Sequence, residues 1–507
     1  MMILGFLPQN LKTQAVAVAF SIAWPGGTVE PGPGEDQARD RLAVFRRELY
    51  GCLTARGDEL FEVAGAVLCA GGPVRALAEL SLAPGHRRGH GALYDAVNCG
   101  RADVARLRWS LAALPLPAWE DGRIRLAADV SNWLRPDAVT SPERLFCHCH
   151  GRGKNSAQMI PGWPYSFVAA LEPGRTSRTR LLDAIRIGPD DDLTAVTAGQ
   201  VRDVVQRLIA TGHWQDGDPD ILVIFDAGYE PARLAWLLSG LPVQVIGRLA
   251  AHRVLRQPPP ARGPGQMGRP VRHGPEFKLA GSTHPCPEVI TATQASRYGT
   301  AIAAAWSRLH PKLARRGAWA SHQGNLPVIE GTLIQLTVDH LPHDHHPKPV
   351  WLRASHATAA PSEIDRCWRA FLRRFDIEHT FRFLKQVLGW TAPKLRDPAA
   401  AGRRTWIIIA AYTQLWLARS LAADLRLPWQ RPPARGRLTP ARVRRGFRSI
   451  CGTLPSLTAA PKPGRPGPGR PPGSRNRRPA TRHDVGKTTR KKKTTTKTKK
   501  TVPNQTG

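Results

Sequence analysis

The chain has 507 residues, enough for two or three domains and a sizeable core, and it carries 73 Lys plus Arg against 39 Asp plus Glu, a formal net charge of +34 at pH 7. An excess of this size argues against a basic or neutral partner and points to a polyanion, nucleic acid being the economical choice, with affinity that falls steeply as salt rises. The eight cysteines show no framework spacing, and no apolar run reaches the roughly 20 residues of a membrane span, so neither a secreted disulfide scaffold nor a membrane protein is expected.

Residues 1–35 run into PGGTVEPGPGEDQ and read as a disordered leader. The leader's AVAVAFSIAWP could pass for the apolar part of a secretory signal. Only Lys12 precedes it, however, and no small-residue cleavage site follows, so a cytoplasmic location with reduced thiols is expected. From 36 to 120 the apolar spacing becomes helical and basic, in DQARDRLAVFRRELYGCL, ELFEVAGAVLCAG and HGALYDAVNCGRADVARLRWSLAAL, which predicts a small helical module.

Between 121 and 425 the pattern is α/β. RIRLAADV, RLFCHCH and YSFVAALE read as three strands. VTAGQVRDVVQRLIATG is a helix on a sheet, with Val201, Val204, Val205, Leu208 and Ile209 on one face. ILVIFD is a short continuous apolar run, the mark of a strand covered on both faces; a helix and the strand PVQVIGRLA follow. Residues 250–360 are too many for a plain connection, and GTLIQLTVDHL and KPVWLRAS alternate like strands, so a β-rich insertion is assigned there. FLRRFDIEHTFRFLKQVLGW is a helix, and TWIIIAAYTQLWLARSLAADL a buried helix packed under it, its apolar part from Trp406 to Leu417 too short for lipid. From 426 to the end a disordered basic tail is expected: between Ser456 and Gly507 stand fifteen Lys or Arg and one acid, Asp484.

Three carboxylates concentrate the chemistry: Asp129 after RIRLAA, Asp226 after ILVIF, and Glu378 in the spacing Phe371-x2-Arg374-x3-Glu378-x6-Lys385. At about 100° per residue those four side chains share one stripe, a quarter turn from the apolar stripe Ile377, Phe381, Leu384 and Leu388. Taken singly, a strand-end aspartate is commonly a turn former, and Arg374 with Glu378 is an ordinary i,i+4 pair. If the strands ending in Asp129 and Asp226 are neighbours, both acids emerge side by side where open α/β sheets usually bind ligands. Tyr229 and Glu230 then either contact a displaced base or phosphate or form a surface turn. A zinc site at Cys147-His148-Cys149-His150, or among His340, His343, His345 and His346, is not supported, since a strand sends alternate side chains to opposite faces. GRGKNS is no phosphate loop, because His148 stands where the first glycine belongs and Asn155 replaces the metal-binding Ser or Thr.

The element order, the two aspartates and the four-residue helix motif resemble the DDE transposases of bacterial insertion sequences, in the branch with the signature Y-x2-R-x3-E-x6-K; here Phe371 replaces the Tyr. The likeness runs from about residue 120 to about residue 420. It implies a ribonuclease-H-like catalytic core with a β-rich insertion, an N-terminal helical module that binds the element's terminal inverted repeats, the alternative for that module being a packing cap for the catalytic core, and a homodimer in the assembled DNA complex, with no membrane partner. It further implies two Mg²⁺ ions, replaceable by Mn²⁺, held by Asp129, Asp226 and Glu378. Arg374 and Lys385 would hold DNA phosphates, and one site would both cleave element ends and join the freed 3′-hydroxyl to target DNA. In the tail, Gly464-Arg465-Pro466 and Gly469-Arg470-Pro471 resemble a minor-groove arginine hook, which makes Arg465 and Arg470 DNA-binding candidates. The rival expectations are a nuclease of the same fold that never joins DNA and an inert repurposed DNA-binding protein.

Overall fold

The computed structural model describes residues 35–149, 158–174, 177–264, 267–295, 298–341, 347–432, 438–462, 471–474 and 478–487. The leader, His150, the GRGKNS segment, His343, His345, His346, Arg465, Arg470 and the lysine-rich end lie outside the described residues.

Residues 35–112 are mostly helical: α1 (Glu35–Cys52), α2 (Gly57–Cys69), α3 (Leu77–Leu80), α4 (His90–Cys99) and α5 (Val104–Ala112), with β1 (Leu53–Ala55) paired to β2 (Arg101–Ala102). On α1 the buried Leu42, Phe45, Leu49 and Cys52 recur at three- and four-residue steps, the stripe that a helix turns to a core. Next come β3 (Arg125–Leu134), β4 (Leu145–Cys149), β5 (Gln158–Leu171), β6 (Thr179–Arg186), α6 (Leu193–Ala210), β7 (Ile221–Phe225), α7 (Pro231–Leu237) and β8 (Val243–Leu249). The sequence reading has three strands before α6, whereas the structure has four. In β6, Asp183 interrupts the apolar run and so hides the strand. Arg108 at 3.0 Å and Arg207 at 2.5 Å pair this buried carboxylate, which makes a charge tolerable in the core.

A ten-stranded mixed sheet organises the molecule. Its order is β11-β12-β13-β14-β8-β7-β3-β5-β4, with β6 also on β5, where β11 is Val289–Ala295, β12 Gly299–Leu309, β13 Gly331–Val338 and β14 Val350–Ala354. β3, β7 and β8 run parallel; the other pairings are antiparallel. The stretch expected as an insertion is therefore β-rich but no separate lobe: β14 pairs with β8, so β11–β14 prolong the same sheet. A further short pair, β9 (Val254–Arg256) with β10 (Glu276–Lys278), sits beside it.

Side-chain alternation divides the sheet's two faces. Leu126, Ala128, Ile221, Val223 and Phe225 join the core under α6 and α7, while Ala127, Leu222 and Ile224 join the core on the opposite face. That second core also takes in α8 (Pro361–Arg373), α9 (Phe375–Gln386), α10 (Pro398–Leu417) and α11 (Pro440–Gly452), and it runs unbroken from Leu42 to Ile450. By the same alternation Asp129 points to the face that carries α9.

Three expectations need correction. The motif helix is two helices, because the chain tightens at Arg374: its N–H donates to Phe371 O at 3.0 Å and its carbonyl accepts from Ile377 N at 3.0 Å, both i to i+3 bonds. The apolar helix α10 is buried almost all round, yet it lies chiefly among α1, α2, α4, α11 and β6, and meets the glutamate helix where Phe383 faces Tyr412. Finally, the region assigned to a disordered tail from 426 contains α11, whose Val443, Phe447 and Ile450 are buried at i, i+4 and i+7. Beyond it, His483 N and Gly486 N donate to Val139 O (2.9 Å) and Arg144 O (2.6 Å), and Arg144 Nη2 donates to His483 O at 3.1 Å, docking residues 478–487 on the β3–β4 connection. At the other end, Arg39 on α1 donates to Thr453 Oγ1, just past α11, at 3.2 Å.

Candidate active site

Asp129 and Asp226 are brought together by strand register. The parallel β3–β7 ladder ends at the pair Ala128 and Phe225, so the next residue of each strand is an aspartate. Glu378 comes from α9, which lies on the sheet over an aromatic floor. Phe381 meets Phe167 at 5.1 Å, and Trp390 meets Phe167 at 5.2 Å, Tyr165 at 5.7 Å and Trp133 at 5.9 Å. Ile377, Phe381, Leu384 and Leu388 are all buried there. Thr380 Oγ1 also hydrogen-bonds Thr179 Oγ1 on β6 at 2.8 Å, and Thr179 O accepts from Tyr412 Oη at 2.9 Å. After α9 the chain must turn sharply: Gly389 adopts φ +64°, and a methyl there would run into the Val74 carbonyl.

The three carboxylates converge on one cation. Arg374 Nη1 donates to Asp129 Oδ2 at 2.8 Å, and Nη2 donates to Glu378 Oε1 at 3.0 Å and lies 3.4 Å from Asp226 Oδ2. The Arg374 side chain is 5% exposed, against 17% for Asp129, 33% for Asp226 and 41% for Glu378, so the guanidinium is the floor of an acidic cleft and the glutamate its rim. Phe371 and Phe375 flank it, each ring centroid 5.9 Å from Arg374 Cζ. Asp129 Oδ1 accepts from Val130 N at 2.8 Å. Burial pushes the Asp129 carboxyl up to about 6; the Arg374 guanidinium and the Val130 amide oppose that rise, and the neighbouring acids add to it.

This donor set suits a hard divalent cation. Three carboxylates share one guanidinium, which leaves acid in excess, and Asp226 Oδ1 is buried without a hydrogen-bond partner. With Arg374 between them the acids do not form a ready coordination sphere: among the described residues no group of three His, Cys, Asp or Glu stands so placed.

Other expected site residues lie elsewhere. Lys385 is not bonded to the acids; its ammonium stands 5.7 Å over the Trp390 ring and faces Cys147 and Cys149 on β4, with burial lowering its pKa and the thiols offsetting part of that. Tyr229 is neither a surface turn nor an exposed contact. It is buried against Phe225 at 5.3 Å, and burial raises its phenol pKa. On β4, Cys147 is buried and His148 exposed, the alternation expected of a strand. Phe375, 57% exposed at the lip of the cleft, went unread in the sequence. The only signal for it was an aromatic placed directly after the motif arginine.

A family model described as DDE superfamily endonuclease matches residues 48–312, just over half of the 507 residues. The matched stretch contains Asp129 and Asp226 and stops before α8 and α9. No curated protein matches the chain.

Proposed function

The chain belongs to the DDE superfamily endonucleases, and from that premise we propose that it is a DNA transposase, cutting the ends of its element and joining them to target DNA within a ribonuclease-H-like core. The observation that carries the reading is the meeting of Asp129, Asp226 and Glu378, spread over 249 positions of sequence, on one guanidinium. The strand order β6-β5-β3-β7-β8, with three antiparallel-linked strands followed by two parallel ones, supports the core assignment. DNA as substrate agrees with the family and with the net charge of +34.

DDE endonuclease domains generally use divalent metal ions. Asp129, Asp226 and Glu378 would hold two Mg²⁺ here, with Mn²⁺ able to replace them; bound there, the ions supply activation of the attacking oxygen and stabilisation of the leaving oxygen at phosphorus. The chain's own residues fix the geometry. Strand register sets the two aspartates, and the aromatic floor under α9 sets the glutamate. Arg374 and Lys385 would hold phosphates of the bound strand, and Arg465 and Arg470 would reach a minor groove. The N-terminal helices would bind terminal inverted repeats, in a homodimer that pairs two ends.

The test is a labelled duplex bearing the element end, incubated with purified protein and Mg²⁺ and scored for both nicked and joined products. Nicking with joining is the expected result. Nicking alone replaces transposase by nuclease, a reading the family's endonuclease description equally allows, and binding alone replaces both by an inert DNA-binding protein.

A further inference from the structure

Arg374 holds a position that a divalent ion would need. Its two terminal nitrogens bond the same carboxylates that would ligate metal, from a side chain 5% exposed. Beside a dication in that cleft the guanidinium would be repelled with little solvent to screen it. It also has a way out. Arg374 lies at the tightened turn between α8 and α9, and Phe375, flanking it at 5.9 Å, is 57% exposed, so an aromatic face lines the route from the cleft to solvent.

Resting on the nuclease reading above, we propose that Arg374 is a resident counter-cation that exchanges with the divalent ions: in the metal-free protein it holds Asp129, Asp226 and Glu378 together, and on metal entry it swings past Phe375 and takes a DNA phosphate. Three consequences follow from charge and geometry. Without metal the acids stay gathered and their repulsion is partly offset. Metal binding has to displace a cation, which weakens it. Once released, the planar guanidinium is the side chain best shaped to grip a phosphate by two parallel bonds. Metal and DNA are thereby coupled, and each raises the other's affinity by the same factor.

The experiment uses the full-length protein and two readouts that need no catalysis. Mn²⁺ is titrated calorimetrically into DNA-free wild type and Arg374→Gln, and DNA affinity is then measured with and without Ca²⁺. Arg374→Gln is expected to bind Mn²⁺ more tightly, by a factor of roughly 5 to 150, and to lose the Ca²⁺-dependent gain in DNA affinity that wild type shows. Equal or weaker Mn²⁺ binding by the variant overturns the exchange while leaving the nuclease reading intact. Wild type that binds no divalent ion at all sinks both. Should Arg374→Gln fail to fold, the wild-type guanidinium is followed instead by arginine Nε–H NMR. Arg374 Nε is buried without a hydrogen-bond partner, so a resonance that passes from a solvent-protected to a solvent-exchanging state as Mg²⁺ is added supports the exchange, and one that stays protected at saturating Mg²⁺ overturns it.

Discussion

At the scale of single residues the site rests on groups whose replacement has a definite sign. Glu378→Gln keeps the shape of the rim but offers a neutral amide, a poor ligand for a hard cation, so DNA binding should persist while nicking and joining fall by a hundredfold or more, about 3 kcal/mol. Gel-shift and cleavage assays on one preparation check this. For Lys385→Met, loss of a phosphate contact should weaken DNA binding alike for all sequences and lower the slope of log affinity against log salt by about one. An unchanged slope would confine Lys385 to its packing on Trp390. Gly389→Ala should cost more than about 1 kcal/mol, visible as a lower Tm, because an L-residue is strained at φ +64° and its methyl meets Val74. The acids themselves were legible in the sequence, since fixed spacing on a helix and position after a strand are local facts. That Arg374 faces inward to Asp129 was not: helical angle says which stripe a side chain occupies, not what strand 245 residues away comes to meet it. Tyr229 was misjudged for the same reason, because the turn after β7 folds back into the core instead of outward.

Among elements, legibility followed β-propensity. The apolar and β-branched β7, β8 and β13 were evident, whereas β12, GTAIAAAWSRL, went unread because alanine is a poor strand former that owes its place to neighbours; its partner β11, VITATQA, is the exception, a strand unread although its Val, Ile and Thr suit one. Besides its ladder to β13, that outer edge is tied to the body by Asp365 on α8, which accepts from Thr291 Oγ1 at 2.6 Å and Thr293 Oγ1 at 2.9 Å on β11, and from Trp368 Nε1 at 2.9 Å. Burial alone would raise its pKa, but these hydrogen bonds outweigh it and hold the carboxyl below the usual range. A carboxyl depressed in the folded state stabilises above its unfolded pKa, and the contribution is lost as pH falls through the folded value. Asp365→Ala should therefore destabilise by about 1–3 kcal/mol at neutral pH and by much less in acid. Faster amide exchange confined to β11 and β12 would mark the lost tie; uniform exchange rates would refute it.

On the scale of the whole molecule, one apolar core joins the first helix to the last, so the N-terminal helices cannot be lifted off as an independent reader of DNA. Deleting residues 1–113 would expose α10, which has apolar residues on nearly every side, and the product should aggregate on size-exclusion chromatography instead of eluting as a folded nuclease. The sequence suggested separate blocks because helical and strand periodicities alternate along it. Periodicity does not reveal that α10 and α11 return to fill the helical block. The hydrogen bond from Arg39 to Thr453 carries a practical corollary. The first and last helices of the body meet at one spot, so its covalent order is negotiable: a circular permutant that links residue 453 to residue 36 through a short glycine bridge, with new ends cut in an exposed connection away from the cleft, should melt within a few degrees of the parent truncated after residue 453, since both lack the ties that Thr458 and His483 make to Glu62 and Arg144.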